Sequence, residues 1–266
     1  MSTELNRYAK ILEKIFFDKY KSSIDEIRFS RDELISAAKS LKIELPKNLG
    51  DVLYSVRFRT PMPASILKKQ PPKKEWIIEF LGKGLYAFKL VKFSRIVPNA
   101  NLLPVKIPDS TPEIIAAYAL SDEQALLAKV RYNRLIDIFL GITTYSLQSH
   151  LRTTVKGVGQ IEIDEIYVGI NEHGRQFVIP VQAKGGSDQL SAVQTKQDIL
   201  CCLEKFPNLV CRAISTQFIS KDLIAIFLLT LYKDEIKIIK EKHYELVPAS
   251  SISITDLSNY SELNSV

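Results

Sequence analysis

The sequence predicts a two-domain protein of the α/β (α+β) class. Three observations carry this expectation. Prolines at 98, 104, 108 and 112 interrupt the chain between two long stretches that contain ordinary helix and strand patterns. Before that break, apolar residues follow helical spacing and then form two strand-like runs around a glycine turn. After it, helical spacing gives way to alternating polar and apolar residues, a further helical run and more strands.

In the first stretch, Leu5, Tyr8, Leu12, Ile15 and Phe16 recur three and four residues apart, which predicts an amphipathic helix ending near Lys19. Ser30 stands three residues before Glu33, the spacing of a capping box, and opens a second helix reaching about Leu41. Leu49, Val52, Leu53 and Val56 continue helical spacing between Pro46 and Pro61, with Arg57 and Arg59 at the end of the run. Trp76–Leu81 and Leu85–Phe93, joined by Gly82-Lys83-Gly84, predict a hairpin.

The second stretch opens at Ser121-Asp122-Glu123 with a helix carrying Leu126, Leu127, Val130, Leu135, Ile138 and Phe139, interrupted at Gly141. A short helix from about Thr144 to Leu151 is expected next. Gln160–Ile170 and Gln176–Lys184 alternate in polarity and are connected by Asn171-Glu172-His173-Gly174, which predicts an antiparallel pair. Pro180 is unusual inside such a strand and suggests a bulge or a strand start. Ser187 and Asp188 can cap a helix carrying Leu190, Val193, Leu200, Leu203 and Phe206; strands follow at Leu209–Ser215, Leu223–Tyr232 and Ile236–Val247. The domain bounds expected are 1–100, a linker at 101–120, a second domain at 121–250 and a flexible Ser/Asn-rich tail at 251–266.

Composition narrows the function classes. A hydrophobic share of 46% with 25% charged residues excludes a disordered chain. No apolar run approaches the roughly 20 residues that span a bilayer, and the polar start Met1–Lys10 is unlike a secretory signal, so a cytoplasmic location without membrane contact is expected. Cys201, Cys202 and Cys211 lack metal-ligand spacing and read as reduced, packed thiols, so zinc is not expected. His150, His173 and His243 are scattered and support no histidine-metal or histidine-triad chemistry, with His150 expected to pack or cap its helix. No phosphate-cradling Gly-x-x-x-x-Gly-Lys run occurs, which argues against nucleotide hydrolysis.

The net charge of +6 is unevenly spread. Residues 1–110 hold 21 Lys/Arg against 12 Asp/Glu, and the remainder 15 against 18. Clustered cations gain from counterion release on a phosphate backbone, so the first domain is expected to bind double-stranded DNA. Its candidate contacts are Lys47, Arg57, Arg59, Lys68, Lys69, Lys73, Lys74 and Lys83. Three helices followed by a basic hairpin resemble a winged helix-turn-helix domain over residues 5–95, which implies a recognition helix in the major groove and the hairpin as its wing.

Candidate chemistry lies on the paired strands of the second domain. Alternation in Ile161–Ile166 puts Glu162 and Asp164 on one face and Glu165 on the other. On the partner strand Gln182 and Lys184 share a face. Acidic groups and a lysine on half-buried strands need compensation, and a divalent cation would supply it. Mg²⁺ accepts one or two protein oxygens together with water and substrate phosphate, so Asp164 and the Gln182 amide oxygen are candidate ligands, and Mn²⁺ is an alternative ion.

These residues and their order resemble the PD-(D/E)XK nuclease superfamily, whose core is a helix, a strand meander, a second helix and a further strand. The resemblance covers residues 121–217. It implies a restriction-endonuclease-like core, a mixed sheet flanked by helices, with Asp164 as the signature acid, Gln182 in the position of the second acid and Lys184 as the lysine. Gln182 departs from that pattern by offering an oxygen without charge, a variation that active restriction enzymes of the superfamily also carry, and leaves more of the neutralisation to Asp164 and Glu162. The resemblance further implies an acid from the preceding helix, for which Asp137 is the nearest candidate. Gln194, Gln197 and Asp198 lie on one side of the following helix, which faces either the site or solvent.

Together the two domains resemble a type II restriction endonuclease, a metal-dependent enzyme hydrolysing phosphodiester bonds in duplex DNA. A homodimer is expected where both strands of a palindromic site are cut. Two alternatives stand beside it: a non-catalytic DNA-binding regulator retaining a decayed nuclease core, and a structure-selective repair nuclease.

Overall fold

The computed structural model describes residues 2–45, 53, 62–72, 74–82, 84–91, 95–118, 122–185 and 190–262. The chain divides into two compact units, Met1–Ser94 with Thr154–Ile161, and Arg95–Thr153 with Glu162–Val266.

The first unit contains α1 (Ser2–Lys19), β1 (Glu26–Ser30), α2 (Arg31–Ser40), α3 (Ala64–Leu67), β2 (Glu75–Gly82) and β3 (Leu85–Val91). Helical spacing on α1 buries Ile11, Leu12, Ile15 and Phe16 on one face. The Phe16 ring meets Trp76 and Phe88 edge-on, with centroids 5.1 and 5.2 Å apart. The capping box forms as its spacing predicts: Glu33 N donates to Ser30 Oγ at 3.3 Å, and Ser30 N donates to Glu33 Oε2 at 2.9 Å. The hairpin β2–β3 forms with positive φ at Gly82 and Gly84. β1 was not anticipated from the sequence; it is a five-residue strand with Ile27 and Phe29 inward, and it gives the sheet the order β1-β3-β2. Of the apolar run at 49–56 only the buried, helical Leu53 is described, so the expected third helix lies outside the described residues.

The second unit is built on an eight-stranded mixed sheet. Its elements are β4 (Arg95–Ile96), β5 (Val105–Pro108), α4 (Glu113–Tyr118), α5 (Glu123–Tyr132), α6 (Leu135–Leu140), β6 (Thr143–Val155), β7 (Gly159–Ile170), β8 (Gln176–Lys184), β9 (Leu190–Ser191), α7 (Ala192–Lys205), β10 (Val210–Cys211), β11 (Ala213–Phe218), β12 (Leu223–Tyr232), β13 (Glu235–Val247) and α8 (Ile254–Glu262). The sheet order is β5-β13-β12-β11-β8-β7-β6 with β10 also on β8, and β8 runs parallel to β10 and β11. Helices α5 and α6 cover one face, where Leu126, Leu127, Val130 and Phe139 pack with Ile179, Val181, Ala183, Ile214 and Ile226. Helix α7 covers the other, where Ile199 packs with Ala213, Ala225 and Phe227. Successive residues of β8 therefore alternate between the two helix layers.

One sequence expectation is corrected here, and two stretches expected to be without regular structure contain described elements. Thr144–Leu151 is part of strand β6, not a helix; as an edge strand exposed on both faces it shows no polarity alternation, and its threonines and Tyr145 favour extended backbone. The expected linker at 101–120 contributes β5, because Pro104 and Pro108 bracket rather than break a strand that needs ladder bonds on one side only, and Val105 and Ile107 pack on the core. The expected flexible tail at 251–266 contains helix α8, opened by a reciprocal cap in which Asp256 N donates to Ser253 Oγ at 3.0 Å and Ser253 N to Asp256 Oδ2 at 2.8 Å. Its Tyr260 hydroxyl accepts from Lys106 N at 2.9 Å, which satisfies an amide on the β5 edge. Pro180 sits within a continuous β8, paired with Ile166; on the other side the ladder splits into β10 and β11 at Arg212, opposite the stretch where the proline offers no amide hydrogen.

Among the described residues no helix is long and apolar enough to cross a membrane.

Candidate active site

The site forms at the C-terminal end of β8, on the sheet face that α7 covers. β7 and β8 pair antiparallel from Ile170↔Gln176 to Glu165↔Val181. One residue beyond that last pair, the Asp164 side chain replaces the main-chain acceptor: its Oδ2 accepts from Ala183 N at 2.9 Å. The strands part there, and the carboxylate is held in the gap. Burial raises the Asp164 pKa; the Ala183 hydrogen bond and the Lys184 charge pull it down, and Glu123 pushes it up.

Lys184 closes β8 with a half-buried ammonium group, 3.6 Å from Glu123 Oε1. Glu123 is the first residue of α5, whose N-terminus is capped by the Asp122 side chain accepting from Ala125 N at 3.0 Å. Gly185 permits this approach, since a Cβ there would lie 2.8 Å from the Asp122 carbonyl carbon and 3.1 Å from Glu123 N. The helix acid that reaches the site is thus Glu123. Asp137, the expected one, instead pairs with Arg134 and accepts from Thr144 N at 3.2 Å.

Gln182 points into the same layer but is only 1% exposed, and both the nitrogen and the oxygen of its amide are hydrogen-bonded. Its Nε2 donates to Gln194 Oε1 at 2.7 Å, and its Oε1 accepts from Thr195 Oγ1 at 3.1 Å and Ser215 Oγ at 3.3 Å. The oxygen expected to face a cation is turned to two hydroxyls. The second acid on this side of the sheet is Asp198, one turn beyond Gln194 and Thr195 on α7 and 2% exposed. Burial raises its pKa well above the ordinary range, Asp164 and Cys211 add to this, and Lys184 opposes it. Asp198 Oδ1 is buried without a hydrogen-bond partner. The helix α7 begins at Ser191, whose Oγ accepts from Gln194 N at 3.3 Å; Ser187 and Asp188, expected as caps, lie outside the described residues.

Glu162 faces β6 and is bracketed by two of its residues. Arg152 Nε lies 3.1 Å from Glu162 Oε2, and His150 Nδ1 lies 3.4 Å from Oε1. His150 was expected on a helix. Glu165, on the opposite face as alternation predicts, is fully buried and accepts at Oε1 from Ser146 Oγ at 2.6 Å and Arg131 Nε at 3.1 Å. That carboxylate belongs to the core.

The sequence signals for Glu123 and Asp198 were present but incomplete. Helical spacing put Asp198 on the Gln194 side of α7 without saying which way that side faced, and only the close approach at Gly185 links Glu123 to Lys184. Of the candidate DNA contacts, Lys68 and Lys69 are exposed after α3, and Lys74 is 3.4 Å from Asp25 Oδ2. Lys47, Arg57, Arg59, Lys73 and Lys83 lie outside the described residues. Cys201, Cys202 and Cys211 are free thiols, the first two buried.

Among the described residues no group of three or more His, Cys, Asp or Glu side chains is arranged to hold a metal ion. Mg²⁺ asks for less than such a group, one or two carboxylates with water and substrate phosphate, and Asp164 and Asp198 are two acids on this side of the sheet whose charges bear on one another. An unpartnered buried oxygen and two carboxyls of raised pKa beside a lysine are a donor set that a divalent cation would stabilise. Comparison with models of known protein families and with curated protein sequences returns no match.

Proposed function

We propose that the chain is a metal-dependent DNA endonuclease of the PD-(D/E)XK type that hydrolyses phosphodiester bonds in duplex DNA. The single observation that carries this reading is the Asp164 carboxylate held by the Ala183 amide where β7 and β8 part, next to Lys184, on the sheet face covered by α7, where the Asp198 Oδ1 oxygen is buried without a partner. The order of elements supports it: helices α5 and α6, the run β6-β7-β8, helix α7, then β11 parallel to β8. In the first unit, the order α1-β1-α2 followed by the β2–β3 hairpin and a β1-β3-β2 sheet supports a winged-helix reading.

In this reading Asp164 and Asp198 would hold Mg²⁺ or Mn²⁺, which when bound would supply Lewis-acid activation of water and of the scissile phosphate. Asp164 is fixed for this by the Ala183 amide. Lys184, oriented by Glu123, stabilises the negative charge that builds on the phosphate oxygens as the new P–O bond forms and the old one breaks. Gln182 acts as a positioning residue, holding Gln194 and Thr195 and through them the α7 turn that presents Asp198. The lysines and arginines of the first unit supply affinity for the DNA backbone. A homodimer would match the symmetry of a palindromic site.

The test is incubation of the purified protein with a mixed-sequence duplex library and Mg²⁺, Mn²⁺ or chelator, followed by sequencing of the ends. Metal-dependent cuts at a recurrent sequence support a restriction-type enzyme, and cuts confined to branched or damaged DNA support a repair nuclease. Duplex binding with intact DNA under every metal condition sinks the catalytic reading in favour of a DNA-binding regulator, the reading that the engaged amide of Gln182 favours.

A further inference from the structure

We infer that Arg152 forms a phosphate-binding subsite on β6, held in place by Glu162, which His150 anchors from its other side, and placed to take a backbone phosphate of the DNA beside the one being cut. The inference rests on the nuclease reading above and deepens it by giving the second unit its own contact with substrate.

Strand β6 lies at the edge of the sheet, and His150 and Arg152 have side chains 50% and 69% exposed. Solvated side chains on an edge strand ordinarily move freely, yet both of these are tied to one carboxylate. Arg152 uses Nε, at 3.1 Å from Oε2, and Nη2, at 3.3 Å from Oε1, which leaves its Nη1 edge directed away from Glu162. His150 has Nδ1 at 3.4 Å from Glu162 Oε1 and Nε2 at 3.1 Å from Gln124 Nε2, so its ring is held between β7 and α5. Glu162 itself is half-buried, and its two oxygens are taken up by this pair.

The backbone departs from regular strand geometry at the same place. His150 has φ of +50° inside a 13-residue strand, a left-handed conformation that costs a non-glycine residue on the order of 1 kcal/mol. Gln124 adjoins Glu123, the partner of Lys184, and Glu162 is two residues from Asp164 on the same strand face. The anchored pair therefore borders the catalytic carboxylates. A guanidinium fixed on one edge by a carboxylate keeps its other edge pre-organised for a phosphodiester oxygen, with little side-chain entropy left to lose. Glu162 is in this account an orienting residue and not a metal ligand.

The experiment measures binding of the full chain to a fluorescent 40-bp duplex in chelator, across a salt series, together with cleavage in Mg²⁺. Arg152→Ala is expected to weaken binding about tenfold and to reduce the slope of log K against log salt by about 0.9, the value for one phosphate contact. Arg152→Lys is expected to restore most of the slope; a residue that only stabilised the fold would leave the slope alone. Because Arg152 is exposed, unchanged melting temperatures are expected for its variants. If wild-type protein binds and cuts duplex while Arg152→Ala keeps the wild-type slope, this inference is wrong and the nuclease reading survives. If wild-type protein binds without cutting and the slope still falls, the subsite stands and the catalytic reading fails. A wild-type chain that binds no duplex at all removes both.

Discussion

The carboxylate of Asp164 accepts a hydrogen bond from the main-chain N–H of Ala183 at 2.9 Å. A side chain standing in for a strand carbonyl opens the β7–β8 pair at the point where Lys184, Gln182 and the α7 helix come together, and this opening creates the candidate site.

Gly185 makes the approach of α5 to that opening possible. Adding a methyl group would bring it to 2.8–3.1 Å from backbone atoms of Asp122 and Glu123, and backbone cannot swing aside as a flexible side chain can. Gly185→Ala is expected to lower stability by about 1–3 kcal/mol, as overpacking does, and to reduce cleavage by separating Glu123 from Lys184. Thermal melting and single-turnover rates check both. Unchanged values would show that the α5 N-terminus is not held where the account needs it.

Asp198 gives a pH dependence with a defined sign. Its folded pKa is raised well above 3.8, mainly by burial, so the folded state binds the proton more tightly than the unfolded state. The resulting stability is fully present below the unfolded pKa and is lost as pH rises through the folded pKa. In chelator, Asp198→Asn is therefore expected to melt higher than wild type at neutral pH, by about 2–4 °C for each kcal/mol gained, and to show no such advantage near pH 3. With Mg²⁺ added at neutral pH, wild type should gain stability and the variant should not. A variant as metal-responsive as wild type would remove Asp198 from the ligand set.

Gln182 separates positioning from ligation. Gln182→Ala would leave Thr195, Ser215 and Gln194 short of their buried partner and is expected to cost about 1–3 kcal/mol. Gln182→Glu adds charge beside Asp164 and Asp198, so it is expected to melt lower than wild type in chelator and to recover with Mg²⁺. Calorimetric melts with and without the ion test this; a variant more stable than wild type in chelator would contradict it.

Arg131 and Glu165 serve as the structural control. Glu165 is 0% exposed, and Arg131→Ala leaves that carboxylate with only the Ser146 hydroxyl, a loss on the order of 3 kcal/mol. Cleavage per folded molecule is expected to be unchanged, because this pair lies on the sheet face opposite Asp164. A specific loss of rate at full folding would mean that the active centre extends to that face.

Much of this layout was legible in the sequence, and the reasons differ between elements. The Ser30–Glu33 cap, the hairpin at 82–84 and the alternating strands β7 and β8 depend on neighbours close in sequence, so local spacing sufficed. The same alternation separated Asp164 from Glu165. Strand β6 escaped detection because an edge strand exposed on both faces carries no alternation, and β5 because prolines that end a helix are tolerated at a sheet edge. Glu123 and Asp198 could not be assigned to the site from spacing alone, since each reaches it through packing of a helix on the sheet. The Ser253–Asp256 cap of α8 was present in the sequence and was masked by the polar composition around it.

The most direct measurement is single-turnover cleavage of duplex DNA in Mg²⁺ by wild type, Asp164→Ala and Lys184→Ala, with duplex binding followed in parallel. The account predicts metal-dependent strand cutting by wild type, a loss of about a thousandfold or more in each variant, and duplex affinity retained in both. Cutting by the two variants at the wild-type rate, or a wild-type protein that leaves DNA intact in Mg²⁺ and Mn²⁺ alike, would contradict it.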